Sequence, residues 1–206
     1  FLDGRDTPPQ SAKQFLSEFE NNIKQLDKVK IEDALFDFGN KQAKLGLTAE
    51  GFKDYFFKGE LNNLKITFNA DLGTFDLDEL SKLWPKYLGE KAWEWCKEGL
   101  YGGEISNGQF VFDFGYDEKT KSFGLVRLYG SADMKDANLH YLEGMPVITN
   151  LYGRAIFEQD KIEIKADKGV SDGVILTGGT VLLYDLDKDD NFIKIDLTGY
   201  STITNA

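Results

Sequence analysis

From Glu32 towards the C-terminus, apolar side chains recur at every second residue in short segments that polar turns separate. In the segment QFVFDF at 109–114, for example, Phe110, Phe112 and Phe114 occupy alternate positions. Successive side chains of a β-strand point to opposite faces of its sheet. This two-residue period therefore predicts amphipathic strands, each with one apolar and one polar face.

The turns between these segments are too short for anything other than neighbouring antiparallel strands. Asp172-Gly173 and the run DLDKDDN at 185–191 are typical turn sequences. A parallel crossover needs a dozen or more residues, and most of the connections here are shorter. The sequence predicts about ten strands in one long antiparallel meander.

A region near residues 77–98 interrupts the alternation. Pro85 suits a first helical position, and Gly99 suits a helix end. The predicted helix has one apolar face, formed by Leu88, Ala92, Trp95 and Cys96. A ligand pocket around Trp84, Trp93 and Trp95 is the alternative interpretation, but helix-to-sheet packing explains the three tryptophans more simply.

Residues 1–31 follow a different pattern. Ser11 and Gln14 form a capping box, and apolar residues then recur at helical spacing over 11–26. Val29 to Ile31 predict the start of a buried strand. The DGRD tetrad at 3–6 and this helix resemble the cofactor-independent phosphoglycerate mutases. The resemblance implies that Arg5 and Asp6 are remnants of a substrate site, and it divides the chain into a mutase-like helical fragment (1–31) and a β-rich domain (32–206).

A second resemblance covers more of the chain. The segment LWPKYLGEKAWEWCKEGLYGGEISNGQF at 83–110 has a Trp-Pro helix start, a later Trp, a Gly-bounded exit and Asn-Gly before a strand. An aromatic residue before Gly-x-Pro follows, and DLTG at 196–199 closes the series. This ordered set, over roughly 60–206, resembles the AsmA-like envelope proteins. The resemblance implies a curled sheet with an apolar groove, tethered at the periplasmic face of the inner membrane. It also implies a role in phospholipid transport or outer-membrane assembly, with other envelope proteins among the partners.

The apolar face of the predicted sheet must be covered by a second layer, a helix or acyl chains. The AsmA-like resemblance favours an open groove that contacts phospholipid acyl chains. Its candidate contacts are Phe110, Phe112, Phe114, Ile162, Ile164, Ile193 and Ile195. The alternative is a closed β-sandwich or barrel, in which the same side chains form an ordinary core.

The net charge and the surroundings of the potentially reactive residues argue against nucleic-acid binding, catalysis and metal binding. A formal charge of −11 disfavours binding to nucleic acid. His140 has no nucleophile motif near it, and the acidic run at 185–196 has Asp190 where a calcium loop has glycine. We therefore predict no catalytic residue, metal or cofactor, and the AsmA-like resemblance implies a non-enzymatic segment of a phospholipid conduit. The alternative is a truncated, cytoplasmic mutase fragment that lacks its nucleophile and metal ligands.

Overall fold

The computed structural model describes residues 17, 21, 27–37, 41–79, 90–186, 188 and 190–201. In these residues the fold is one antiparallel β-sheet with short helices. The strands in chain order are β1 (Lys28–Asp37), β2 (Gln42–Glu50), β3 (Lys65–Leu72), β4 (Phe75–Asp76), β5 (Leu100–Tyr101), β6 (Glu104–Asp117), β7 (Ser122–Leu139), β8 (Ile148–Glu158), β9 (Lys161–Ser171), β10 (Val174–Tyr184) and β11 (Phe192–Tyr200). Helix α1 spans Phe52–Lys58, helix α2 spans Glu90–Gly99, and residues 77–79 are also helical.

The sheet has the order of a meander. Its strands follow the sequence β1-β2-β3-β6-β7-β8-β9-β10-β11, while β4 pairs with β6 and β5 pairs with β7. Every pair is antiparallel. Within the described residues β1 and β11 do not pair with each other, so the sheet is not closed. The predicted mostly-β, open meander is confirmed, and the described residues form neither a closed barrel nor a sandwich.

One apolar row crosses the sheet from edge to edge. Residues that pair directly across antiparallel strands lie on the same face, and the register connects one residue from each of nine strands. The row consists of Ala34, Leu45, Ala70, Phe110, Gly130, Phe157, Ile162, Leu183 and Ile193. We call the face that carries this row the inner face. A neighbouring row on the same face consists of Ala132, Ala155, Ile164, Val181 and Ile195.

Gly130 has a packing role within this row. A β-carbon at this position would lie 2.2 Å from Cδ1 of Phe110, so a larger residue would collide with the aromatic ring. The absence of a side chain lets the Phe110 ring lie over β7 and approach Phe157, with ring centroids 5.8 Å apart. The apolar row is therefore continuous at Gly130, because the ring of Phe110 fills the space that a side chain at this position would occupy.

The opposite, outer face carries most of the charged residues of the sheet, although it also includes apolar residues such as Ile156 and Leu182. One of its cross-strand rows consists of Asp133, Arg154, Lys165, Thr180 and Asp196. Arg154 pairs with Asp133 and also donates from Nη2 to Oγ of Ser131 at 2.7 Å. The hydrogen bond from Asn107, together with that from Arg154, holds the pKa of Asp133 below its usual value. The two faces of the sheet thus meet different surroundings, as the sequence alternation predicts.

The middle of the inner face is covered by the chain itself. We define the cover as residues 77–79, α2 and β5. Its side chains Leu77, Cys96 and Leu100 are buried in the same core cluster as the inner-face rows, and Trp93 and Trp95 pack against that cluster. The cover is an insertion between β3 and β6, which are neighbours in the sheet. The helix predicted near 77–98 is found at 77–79 and 90–99, while residues 80–89 lie outside the described part of the chain.

Two features differ from the sequence-based expectation. Helix α1, which lies between β2 and β3, was not predicted; its ends are set by Gly51 and Gly59, both in the left-handed conformation. The strand predicted at Val29 to Ile31 is present but not buried, since Ile31 is 48% exposed on the edge strand β1.

The N-terminal division can be followed only in part. The predicted boundary between residues 31 and 32 lies inside β1, which pairs with β2 on both sides of a bulge between Ile31 and Ala34. Of the helix predicted at 11–26, only Ser17 and Asn21 are described, and both are helical. The division into two domains stays a prediction.

The two faces predict opposite responses to truncation at adjacent positions of β9. Ile164 is fully buried, and Ile164→Ala should lower the free energy of unfolding by about 3 kcal/mol through lost burial and a cavity. The matched change Lys165→Ala removes an exposed side chain and should stay within about 0.5 kcal/mol of the parent. Urea unfolding measures both values, and similar losses at the two positions would contradict the assigned faces.

Candidate functional site

The structure places all seven candidate groove residues on the inner face, but it gives them different surroundings. Phe110, Phe112, Ile162 and Ile164 are buried within the protein, under or beside the cover. Phe112 is 8% exposed and packs against Phe68, with ring centroids 6.2 Å apart. Phe114 and Ile193 are partly buried, and Ile195 is 36% exposed. Four of the seven residues are therefore part of the buried core, and the other three lie at its partly exposed margin.

The apolar inner face emerges from the core at β11. Ile193, Ile195 and Leu197 point to the same face, because they pair with Leu183, Val181 and Gly179 of β10. Lys194 lies between them and pairs with Leu182 on the outer face. Since β11 is the last strand in the sheet order, its inner-face side chains have a strand neighbour on one side only. This strand carries the most exposed of the seven candidate positions.

A recess of about 530 Å³ lies where this exposed margin meets the cover. Its lining comes from three parts of the chain: the end of α2, the segment after β7, and the β10–β11 hairpin. The lining residues are Trp95, Glu98, Gly99, His140, Tyr141, Leu142, Glu143, Leu183, Asn191, Phe192 and Ile193. In the sheet order three strands separate β7 from β11, so the sheet must curl to bring these segments together.

The wall of the recess is held by backbone contacts. The N–H of His140 donates to the carbonyl of Gly99 at 2.8 Å, directly after the pairing of Leu139 with Leu100. Gly99 permits this approach, since a β-carbon there would lie 3.1 Å from the carbonyl oxygen of His140 and 3.2 Å from Cε2 of Trp95. The end of α2 and the segment after β7 thus form one connected wall.

The recess combines an apolar floor with an acidic rim. Leu183 and Ile193 are the last two members of the nine-strand row, so the floor continues the inner face. Glu98 and Glu143 are exposed at the rim, and none of the lining residues that the structure describes is Lys or Arg. In the described structure neither carboxylate forms an ion pair or hydrogen bond. The recess thus presents apolar side chains on one side and negative charge on the other.

Sequence reasoning missed the two glutamates. Glu143 lies in the segment that carries the aromatic and Gly-x-Pro pattern, and Glu98 lies on the polar side of a helix. Both residues are ordinary surface acids until the fold brings the two segments together. Trp95 lines the recess and also packs on the core, so the packing and pocket interpretations both apply to it. Trp84 lies outside the described residues.

The remaining sequence candidates do not form a site in the described structure. Arg5 and Asp6 lie outside it. Asp185 pairs with Lys188 at 2.7 Å, and the neighbouring Asp187 and Asp189 are also outside the described residues. Among the residues that are described, no group of three or more His, Cys, Asp or Glu side chains could hold a metal ion.

A scan of family models places the chain among known proteins. The model described as YhdP protein matches residues 25–205. The chain belongs to the YhdP family. This membership confirms the predicted resemblance to AsmA-like envelope proteins, and the match includes residues 25–31 of the segment assigned to the mutases. The comparisons give no support to the mutase resemblance. No curated protein and no solved structure matches the chain.

The YhdP family is a family of cell-envelope proteins, and its β-rich fold is the one described above. In the part of the chain that is described, none of the helices combines the length and apolar composition that a membrane crossing requires. The inner face at β11 and the recess beside it are the candidate site of this YhdP-family chain.

The state of the cover can be measured through Cys96. Burial raises the pKa of the Cys96 thiol to about 12, so at pH 8 the thiol is protonated and the reactive thiolate is scarce. We expect the folded chain to react with the aromatic disulfide dithiobis(nitrobenzoate) at least about a hundredfold more slowly than the urea-unfolded chain. Comparable rates would show that α2 does not remain packed on the sheet.

Proposed function

We propose that this chain is a non-enzymatic segment of an envelope phospholipid-transport protein, and that its inner face contacts acyl chains at β11. The observation that carries the proposal is the pair of neighbouring apolar rows on the inner face. Both rows are buried in the middle of the sheet, and at β11 they are partly exposed, one at Ile193 and the other at Ile195. Membership of the YhdP family supports a role in envelope lipid transport. A lipid chain at β11 would add further apolar contacts at the edge of the apolar core on the inner face.

The contrast between the two faces supports one lipid-binding side. Each methylene group removed from water contributes about 0.8 kcal/mol, so an acyl chain gains from lying along Ile193, Ile195 and Leu197. The outer face offers ion pairs such as Arg127 with Asp113, at 2.7 Å between Nε and Oδ2. An acyl chain there would displace water from charged groups without compensation. A lipid is therefore expected to follow the inner side of β11.

The cover defines how far the groove extends. The candidate positions Phe110, Phe112, Ile162 and Ile164 lie under or beside it, so lipid contact at these four positions would require the cover to leave the sheet. Phe114, Ile193 and Ile195 need no such displacement. We therefore assign the acyl-chain contacts to the margin of the inner face and a core role to its middle.

The proposed setting is the periplasmic face of the inner membrane, within a larger anchored protein and beside other envelope proteins. A phospholipid leaving that membrane needs an apolar path, since its acyl chains cannot be exposed to water without cost. No catalytic residue or cofactor is proposed for this task. The burial of Cys96 and the raised pKa of its thiol agree with a structural role for that residue.

Site-specific photo-crosslinking tests the proposed face. In the full 206-residue chain mixed with phospholipid vesicles, a photoreactive residue at Ile195 should form lipid adducts. The same residue at the adjacent Lys194, which lies on the outer face, should form several-fold fewer, because successive strand positions point to opposite sides. Adducts are counted by mass spectrometry of the intact protein.

Buried positions give a second control. A photoreactive residue at Ile164 should crosslink within the protein, since that side chain is fully buried. Equal lipid capture at Ile195 and Lys194, or no capture at Ile195 in a folded chain, would contradict the proposed function.

A further inference from the structure

We propose that the recess beside β11 selects phospholipids with an amine-bearing headgroup, namely those of the phosphatidylethanolamine type. The inference rests on the proposed function, because it assumes that acyl chains lie on the inner face. It adds a site and a substrate class: the carboxylates of Glu98 and Glu143 would bind the headgroup ammonium. The acyl chains would leave the recess along Ile193 towards Ile195.

The first argument is continuity between the recess and the groove. The floor of the recess is formed by Leu183 and Ile193, which end the row that crosses the sheet. Ile195 lies two residues further along β11 on the same face and is partly exposed. A lipid with its headgroup at the rim could therefore place its chains on inner-face positions without crossing a polar surface.

The second argument is charge. Among the described residues, the lining includes two carboxylates and no Lys or Arg, and the whole chain carries a formal charge of −11. An anionic phospholipid would meet only repulsion from these charges. A zwitterionic phosphoethanolamine group supplies one ammonium for the carboxylates. Its phosphate can accept hydrogen bonds from the amide of Asn191, which lies in the same lining.

The third argument is the aromatic wall. Trp95 lines the recess next to the two glutamates, and the face of a tryptophan ring attracts cations. The neighbouring helix surface already contains such a contact, with Nζ of Lys97 lying 5.2 Å from the centre of the Trp93 ring. An ammonium in the recess would thus have both carboxylate and aromatic partners, whereas a glycerol headgroup has no positive charge to offer either of them.

Competition between two lipids tests the inference. The full chain is incubated with vesicles of equal parts phosphatidylethanolamine and phosphatidylglycerol with identical acyl chains, then separated, and its bound lipids are quantified by mass spectrometry. We expect an enrichment of phosphatidylethanolamine of about fivefold, the effect of one favourable exposed charge contact. The enrichment should decline in 0.5 M salt, because screening at about this ionic strength weakens exposed charges.

Variants locate the selectivity. The double change Glu98→Gln and Glu143→Gln should bring the lipid ratio close to one. The control Glu163→Gln removes an acid from the outer face and should leave the enrichment intact. Unchanged thermal midpoints establish that the variants are folded, which is expected because both rim glutamates are exposed.

The outcomes separate the two proposals. Bound lipid without enrichment in the parent chain, or enrichment that survives the double change, would overturn the headgroup assignment and leave the acyl-chain groove standing. Absence of bound lipid from the folded parent chain would overturn both.

Discussion

Apolar contact between directly paired residues on the inner face is the interaction on which this fold depends. A meander has no crossover helices to cover it, so an apolar face must find its cover elsewhere. Here the rows from β6 to β10 are buried by the inserted helix α2 and its flanking residues, and the burial is nearly complete at Phe157, Ile162 and Ile164. The stability of the sheet and the position of the recess both follow from where that cover ends.

The polar outer face helps to determine which side chains of each strand lie on the inner face. Cross-strand groups such as Arg154 and Asp133 satisfy one another and remain accessible to water. A slip of one residue in any strand would exchange these groups with the buried apolar side chains, at a cost far greater than the value of any single ion pair. The charges thus contribute more to the register of the strands than to stability, and the register is what aligns nine side chains into one row.

The alternation of residues was sufficient to predict the sheet and its faces. Phe110, Phe112 and Ile164 lie on the side that the two-residue period assigns to them, because that period depends only on strand geometry. The difference in burial between Ile164 and Ile195, which share a row, could not be predicted in this way. It arises from the placement of α2 over the middle of the sheet and from the edge position of β11, both of which are long-range features.

The recess was beyond prediction for a related reason. Its acidic rim joins a residue near the end of α2 to one in the segment after β7, and its floor comes from the β10–β11 hairpin. No local pattern connects three segments so far apart in the chain. Helix α1 was not predicted because it is rich in aromatic residues, which on average favour strands. The two glycines that set its ends were not recognised as helix limits.

The insertion of the cover between adjacent strands has an evolutionary consequence. Leu72 at the end of β3 pairs directly with Gly108 of β6, so the two strands meet independently of the residues between them. A tight turn could replace that whole excursion without altering the order or register of any other strand. Gain or loss of such an excursion would change how much of the apolar inner face is covered, in a single genetic event and with the same sheet.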